Sequence, residues 1–174
     1  MTNITPTSEE LRMEEQDFIV SKTDPKGKIT YCNESFIRFS GYEESDLLQQ
    51  PHNIIRHPDM PRSIYRFLWE TICTHTEFFG IVKNLCKNGA YYWTFANVTS
   101  STDEEGNIIG YYSVRRQANQ KVIDLLTPVY KQMVEEEAKH SSSKQAMDAS
   151  FKILTDYIAT HNLSYKEFVY TYAK

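Results

Sequence analysis

The residue types with the most chemical capacity gather in one stretch, Gln50-Pro51-His52-Asn53-Ile54-Ile55-Arg56-His57-Pro58-Asp59-Met60-Pro61. Pro58 biases His57 toward extended backbone. Asp59 is placed to cap the helix that follows, whose first turn accepts Pro61. A helix start with Arg56 beside it is positive and suits an anionic ligand. The same residues would equally build a tight connector held by an Arg56–Asp59 ion pair. Further along, Trp69 offers an aromatic plate for a flat ring, or ordinary core packing. Asn84 carries a donor and an acceptor in one amide and alternates with Gly80 and Val82 on one strand face. Gly80 there would let a flat ligand approach the backbone. The alternative for Asn84 is a buried amide satisfied within its sheet.

Other chemistries find less support. His52, His57 and His75 show no HxH or HxxxH spacing, so a zinc site is not expected. Haem needs only one axial histidine, which leaves His57 or His75 as candidates. No nucleophile elbow, phosphate-binding glycine loop or kinase signature occurs, and an enzyme is not expected. A net charge of −4 without a basic stripe disfavours nucleic acid. No apolar run reaches the roughly 18 residues of a membrane span, and Met1 to Gln16 lacks the apolar region of a signal peptide. The three cysteines, Cys32, Cys73 and Cys86, are expected to be reduced in a cytoplasmic protein. The 12 Tyr, 9 Phe and 2 Trp are enough to line a pocket for a flat ligand, although most aromatics serve a core.

The elements that must position these groups fall into three segments. Residues 1–16 read as a short N-terminal cap helix from Thr7-Ser8-Glu9-Glu10. Residues 17–118 read as an α+β unit. Two strands flank the turn Asp24-Pro25-Lys26-Gly27, and Asn33 then caps a helix that Gly41 ends. Short helical pieces and a longer helix, about 60–75, lead into three strands joined by Asn88-Gly89 and Glu105-Gly106-Asn107. With no βαβ alternation, a five-stranded antiparallel sheet with helices on one face fits best. Residues 119–174 read as a helical extension in which Pro128 must kink or restart a helix, Glu135-Glu136-Glu137 forms a solvated face, and Ser164 with Glu167 has capping-box spacing.

The order strand, strand, helices, meander resembles a PAS domain. The 50–61 stretch, Trp69, Gly80-Ile81-Val82-Lys83-Asn84, Lys87-Asn88-Gly89 and Tyr92-Trp93 resemble the aerotaxis-receptor type of PAS domain over about residues 10–130. That resemblance implies FAD as cofactor and a redox or oxygen sensor. It assigns cofactor contacts to Asn33, His52, Arg56, His57, Asp59, Trp69, Phe78 and Asn84. At Phe78 the family pattern has Trp. The family's membrane helices and signalling helix have no counterpart, so the chain is similar to stand-alone PAS proteins that signal to a separate membrane chemoreceptor or other signalling protein, with a homodimer as a further expectation. A haem-binding gas sensor, a cofactor-free interaction module and a small flavin reductase are the alternatives. The stretch Pro51–Asp59 has no cysteine for light-driven flavin adduct chemistry. Deleting residues 141–174 is expected to leave flavin bound and to alter partner binding or oligomeric state.

Overall fold

A computed structural model of the chain describes residues 4–172. Strands β1 (Ile19–Thr23) and β2 (Ile29–Cys32) flank a turn in which Asp24 Oδ1 accepts the N–H groups of Lys26 and Lys28, at 2.9 and 2.8 Å. Gly27 closes it at φ 78°, a left-handed conformation that a side chain would strain. Helix α1 (Glu34–Ser40) begins at Asn33, whose side chain accepts the Phe36 N–H, and ends at left-handed Gly41. Helix α2 (Glu44–Leu47) and a 3-10 turn (His52–Ile55) lead into α3 (Arg62–Ile72). The meander of β3 (Phe78–Leu85), β4 (Tyr91–Thr102) and β5 (Ile108–Gln117) completes an antiparallel sheet of order β2-β1-β5-β4-β3. The fold is α+β, as expected.

Three helices follow: α4 (Gln120–Ala138), α5 (Ser143–Ala159) and α6 (Tyr165–Tyr172). Helix α4 runs through Pro128 without a restart, which was the second of the two outcomes expected there. Val122 and Leu126 before the proline and Val129, Tyr130 and Met133 after it are all buried, so packing on both sides holds the helix. The capping box at α6 forms, with Ser164 N–H donating to Glu167 (2.8 Å) and Glu167 N–H to Ser164 Oγ (3.3 Å).

These helices belong to the same hydrophobic core as the sheet. Leu154, Phe168 and Val169 are fully buried in one cluster with Ile64, Ile81 and Phe95. Phe151 meets Phe67 at 5.1 Å between ring centroids. The free edge of β3 is covered as well: Tyr130 O–H donates to Ile81 O (3.0 Å), Met60 Sδ lies 3.3 Å from the Lys83 nitrogen, and Arg56 forms a backbone bridge with Asn84. An edge left bare would invite pairing with another chain.

Two expectations are corrected. The N-terminal segment is extended rather than helical across its described part. Thr7 N–H donates to Gly89 O, Leu11 N–H to Tyr91 O and Tyr91 N–H to Glu9 O, at 2.8, 2.8 and 2.9 Å. Pairing with the β3–β4 hairpin satisfies backbone groups that a helix would have used internally; residues 1–3 lie outside the described region. The acidic run is not wholly solvated, because Glu137 is only 7% exposed and turns in toward α3.

Candidate functional site

Between the sheet and α3 lies a cavity of about 350 Å³. Alternation along the strands directs Ser21 and Thr23 of β1, Tyr111, Ser113 and Arg115 of β5, Ala96 and Val98 of β4, and Val82 and Asn84 of β3 into it. Helix α3 supplies Tyr65, Leu68, Trp69 and Ile72, and the 50–56 segment supplies Pro51, His52, Asn53, Ile55 and Arg56. Trp69 stands at the mouth, 38% exposed, edge-on to Tyr111 at 5.2 Å. Its ring passes so close to Gly27 that a Cβ there would meet it at 3.1 Å.

Four predicted residues therefore converge: His52, Arg56, Trp69 and Asn84 line the cavity. The other four lie elsewhere. Asn33 caps α1, accepts the Val20 N–H (3.0 Å) and donates to Phe18 O (2.8 Å). His57 is buried against Tyr91, outside the cavity. Asp59 is not the cap of α3. It pairs with Lys83 at 2.7 Å, no Arg56–Asp59 ion pair forms among the described residues, and α3 follows Pro61 without a side-chain cap. Phe78 packs on Phe67 and Tyr165. Its ring covers Gly80, where a Cβ would meet it at 2.6 Å, so no ligand reaches the Gly80 backbone by that route.

The polar end of the cavity contains the residue that sequence reasoning missed. Arg115 is 7% exposed, and no carboxylate pairs with it among the described residues. One guanidinium nitrogen lies 3.1 Å from His52 Nε2, which also lies 3.1 Å from Ser21 Oγ. The other, Nη1, has no partner, and neither have the Ser113 and Tyr92 hydroxyls. A buried guanidinium without an anion is costly, and burial lowers the Arg115 pKa from its usual value. Asn84 donates weakly within the sheet, to Thr94 Oγ1 (3.2 Å) and Val82 O (3.4 Å). The signal was present: Arg115 and Arg116 are adjacent on a strand, so one of them must face inward.

Burial and the Arg115 cation hold His52 down to about 3, and burial with the Lys83 cation holds His57 down to about 4. Both are neutral in the fold, whereas the unfolded chain protonates them near 6.5. Between those values the unfolded state binds more protons, so stability falls on acidification. Unfolding by urea should therefore show lower stability at pH 5 than at pH 7, with His52 alone contributing about 2 kcal/mol and His57 adding in the same direction. The double substitution His52→Gln and His57→Gln should flatten that difference, and an unchanged pH slope in the double variant would count against it.

The PAS fold family model matches residues 29–115. The chain belongs to the PAS family. Its PAS region is of the aerotaxis-receptor type: it is 42% identical to the aerotaxis receptor of Escherichia coli (strain K12) over 113 residues, 65% of this chain and 22% of that protein. It is 28% identical to the nitrogen fixation regulatory protein of Klebsiella pneumoniae over 104 residues, 60% of this chain and 21% of that one. The chain thus spans about a fifth of the length of these relatives. Among solved structures, the light state of the blue-light photoreceptor Aureochrome1 LOV superposes with a TM-score of 0.57 at 20% identity, covering 66% of this chain and 90% of that one. That likeness concerns the PAS fold. No helix among the described residues is long and apolar enough to cross a membrane.

Proposed function

We propose that this PAS domain binds a flavin, FAD by preference, in the α3–sheet cavity and acts as a redox or oxygen sensor in the cytoplasm. In this reading it signals by protein contact to a membrane chemoreceptor or another signalling protein, and turns over no substrate. The observation that carries the reading is the Arg115 guanidinium, which has no carboxylate partner among the described residues and an unsatisfied Nη1, in a cavity whose wall includes the apolar Leu68, Ile72, Val82, Ala96 and Val98. A ligand that satisfies this arrangement has a flat apolar body and an electron-rich polar rim. An isoalloxazine ring has both, and a volume of about 350 Å³ falls within the range of small-molecule sites. When bound, a flavin supplies reversible electron transfer. Arg115, Asn84 and Ser113 would hold the polar rim, Trp69 and Tyr65 would border the ring, and Arg56 with Lys26 at the mouth would favour the pyrophosphate. Similarity to an aerotaxis receptor supports the same reading.

Haem is less well served. His57 and His75 do not line the cavity, and His52, which does, already has Ser21 and Arg115 against its Nε2.

The absorption spectrum of the purified protein tests the proposal. Flavin bands near about 375 and 450 nm are expected, with FAD recovered on acid release. A Soret band or a colourless protein that takes up no flavin would overturn it. Asn84→Ala should cost about 1–3 kcal/mol of flavin affinity without altering the circular dichroism spectrum. Unchanged affinity would remove Asn84 from the site.

A further inference from the structure

Helix α3 lacks a capping side chain of its own, since Pro61 precedes it. Its first N–H groups are bound instead from a distant element. Glu137 Oε2 accepts the Arg62 N–H (3.1 Å) and Arg62 Nε–H (3.0 Å), and Oε1 accepts the Ser63 N–H (3.0 Å). The carboxylate comes from the last turn of α4, and Ser63 Oγ lies 2.9 Å from Ser150 Oγ on α5. Both Glu137 and Ser63 are buried, so water is a poor substitute for either. The same α3 turn continues into the cavity wall at Tyr65, over whose ring the Arg56 guanidinium sits at 4.2 Å. Arg56 borders the cavity on one side and the cleft beside Glu137 on the other.

We infer that Glu137 is a positioning residue for the cavity, and that docking of α4 and α5 is thereby linked to ligand occupancy. The carboxylate clamps the N-terminal end of α3, and α3 carries Tyr65, Leu68, Trp69 and Ile72 against any bound ligand. A ligand that holds α3 in place therefore strengthens the grip of α3 on α4 and α5, and loss of that grip weakens the ligand by the same factor.

The test uses Glu137→Gln in the full chain, in two arms. The first needs no ligand. In a Trp93→Phe background Trp69 is the sole tryptophan, and Glu137→Gln should shift its emission to longer wavelength and increase acrylamide quenching. An unmoved Trp69 overturns the inference, whatever the stability. The second arm rests on the flavin reading. FAD affinity should fall roughly tenfold, and adding FAD to the unmodified protein should slow amide exchange in α4 and α5, far from the ring. Equal affinities, or exchange in α4 and α5 indifferent to FAD, also overturn it, because a purely structural cap would cost stability alone. If Trp69 responds while no form binds flavin, the flavin reading fails and the positioning role stands. Should Glu137→Gln not fold, adding Pro61→Ser supplies a cap in cis; the double variant should recover folding yet leave the exchange of α4 and α5 uncoupled from FAD.

Discussion

Arg115→Met should make the ligand-free protein more stable and, on the proposed flavin reading, weaken its hold on flavin about a hundredfold or more. The two effects have opposite signs because they draw on one property. Among the described protein groups the guanidinium has one hydrogen-bond contact, to neutral His52, and no carboxylate, so an apolar side chain of similar length removes a desolvation cost. Replacing buried charge by well-packed apolar groups is often worth about 1–4 kcal/mol. With a ligand rim in place, the same cation makes charge-assisted bonds, and truncating such a partner costs about 2–5 kcal/mol. Urea denaturation of the stripped protein and fluorescence titration with FAD read the two quantities separately. A variant that is less stable when stripped, or that binds FAD as tightly as the parent, would show Arg115 to be structural.

Deleting residues 141–174 should unfold the domain, reversing what the sequence alone suggests. The segment contributes Leu154, Phe168 and Val169, all fully buried in the cluster that also holds Ile64, Ile81 and Phe95. Burying each such side chain contributes about 1.5–3 kcal/mol, so their loss approaches the 5–15 kcal/mol or so of a typical domain. The cut also bares Phe67 and Phe78, which Phe151 and Tyr165 cover. The truncated chain should be insoluble or lack a cooperative thermal transition. A soluble, cooperatively melting truncation would show that the sheet and α1–α3 stand alone. Phe168→Ala in the full chain provides a graded version, with a loss of about 3–5 kcal/mol.

The elements around the site were legible because their punctuation is local. Asn33, Gly41, Asn88-Gly89 and the Ser164–Glu167 box each act within a few residues of themselves. What escaped is decided by partners distant in the chain. Thr7-Ser8-Glu9-Glu10 carries a helix-start pattern, yet Gly89 and Tyr91 offer its backbone a better arrangement. Asp59 has the right type and place to cap α3, but Lys83 draws it away and Glu137 takes the role from 75 positions along. Within the site, His52, Arg56, Trp69 and Asn84 were reachable from residue type and resemblance, whereas Arg115 required knowing which face of β5 the cavity adjoins. Gly80 failed for the converse reason, because the side chain that fills its space is two residues away on the same strand face.

The pairing of β1 with β5 sets a schedule for the growing chain. Ser21 and Thr23 emerge from the ribosome early, but their sheet partners Ser113 and Tyr111 follow only after about 90 further residues. At roughly 5–20 residues per second that interval lasts many seconds. Until β5 arrives, the cavity has neither its central wall nor Arg115, and Glu137 comes later still. On the proposed flavin reading, the cofactor would enter a nearly complete fold rather than template the early helices, so its supply would be a matter for the folded domain rather than for translation.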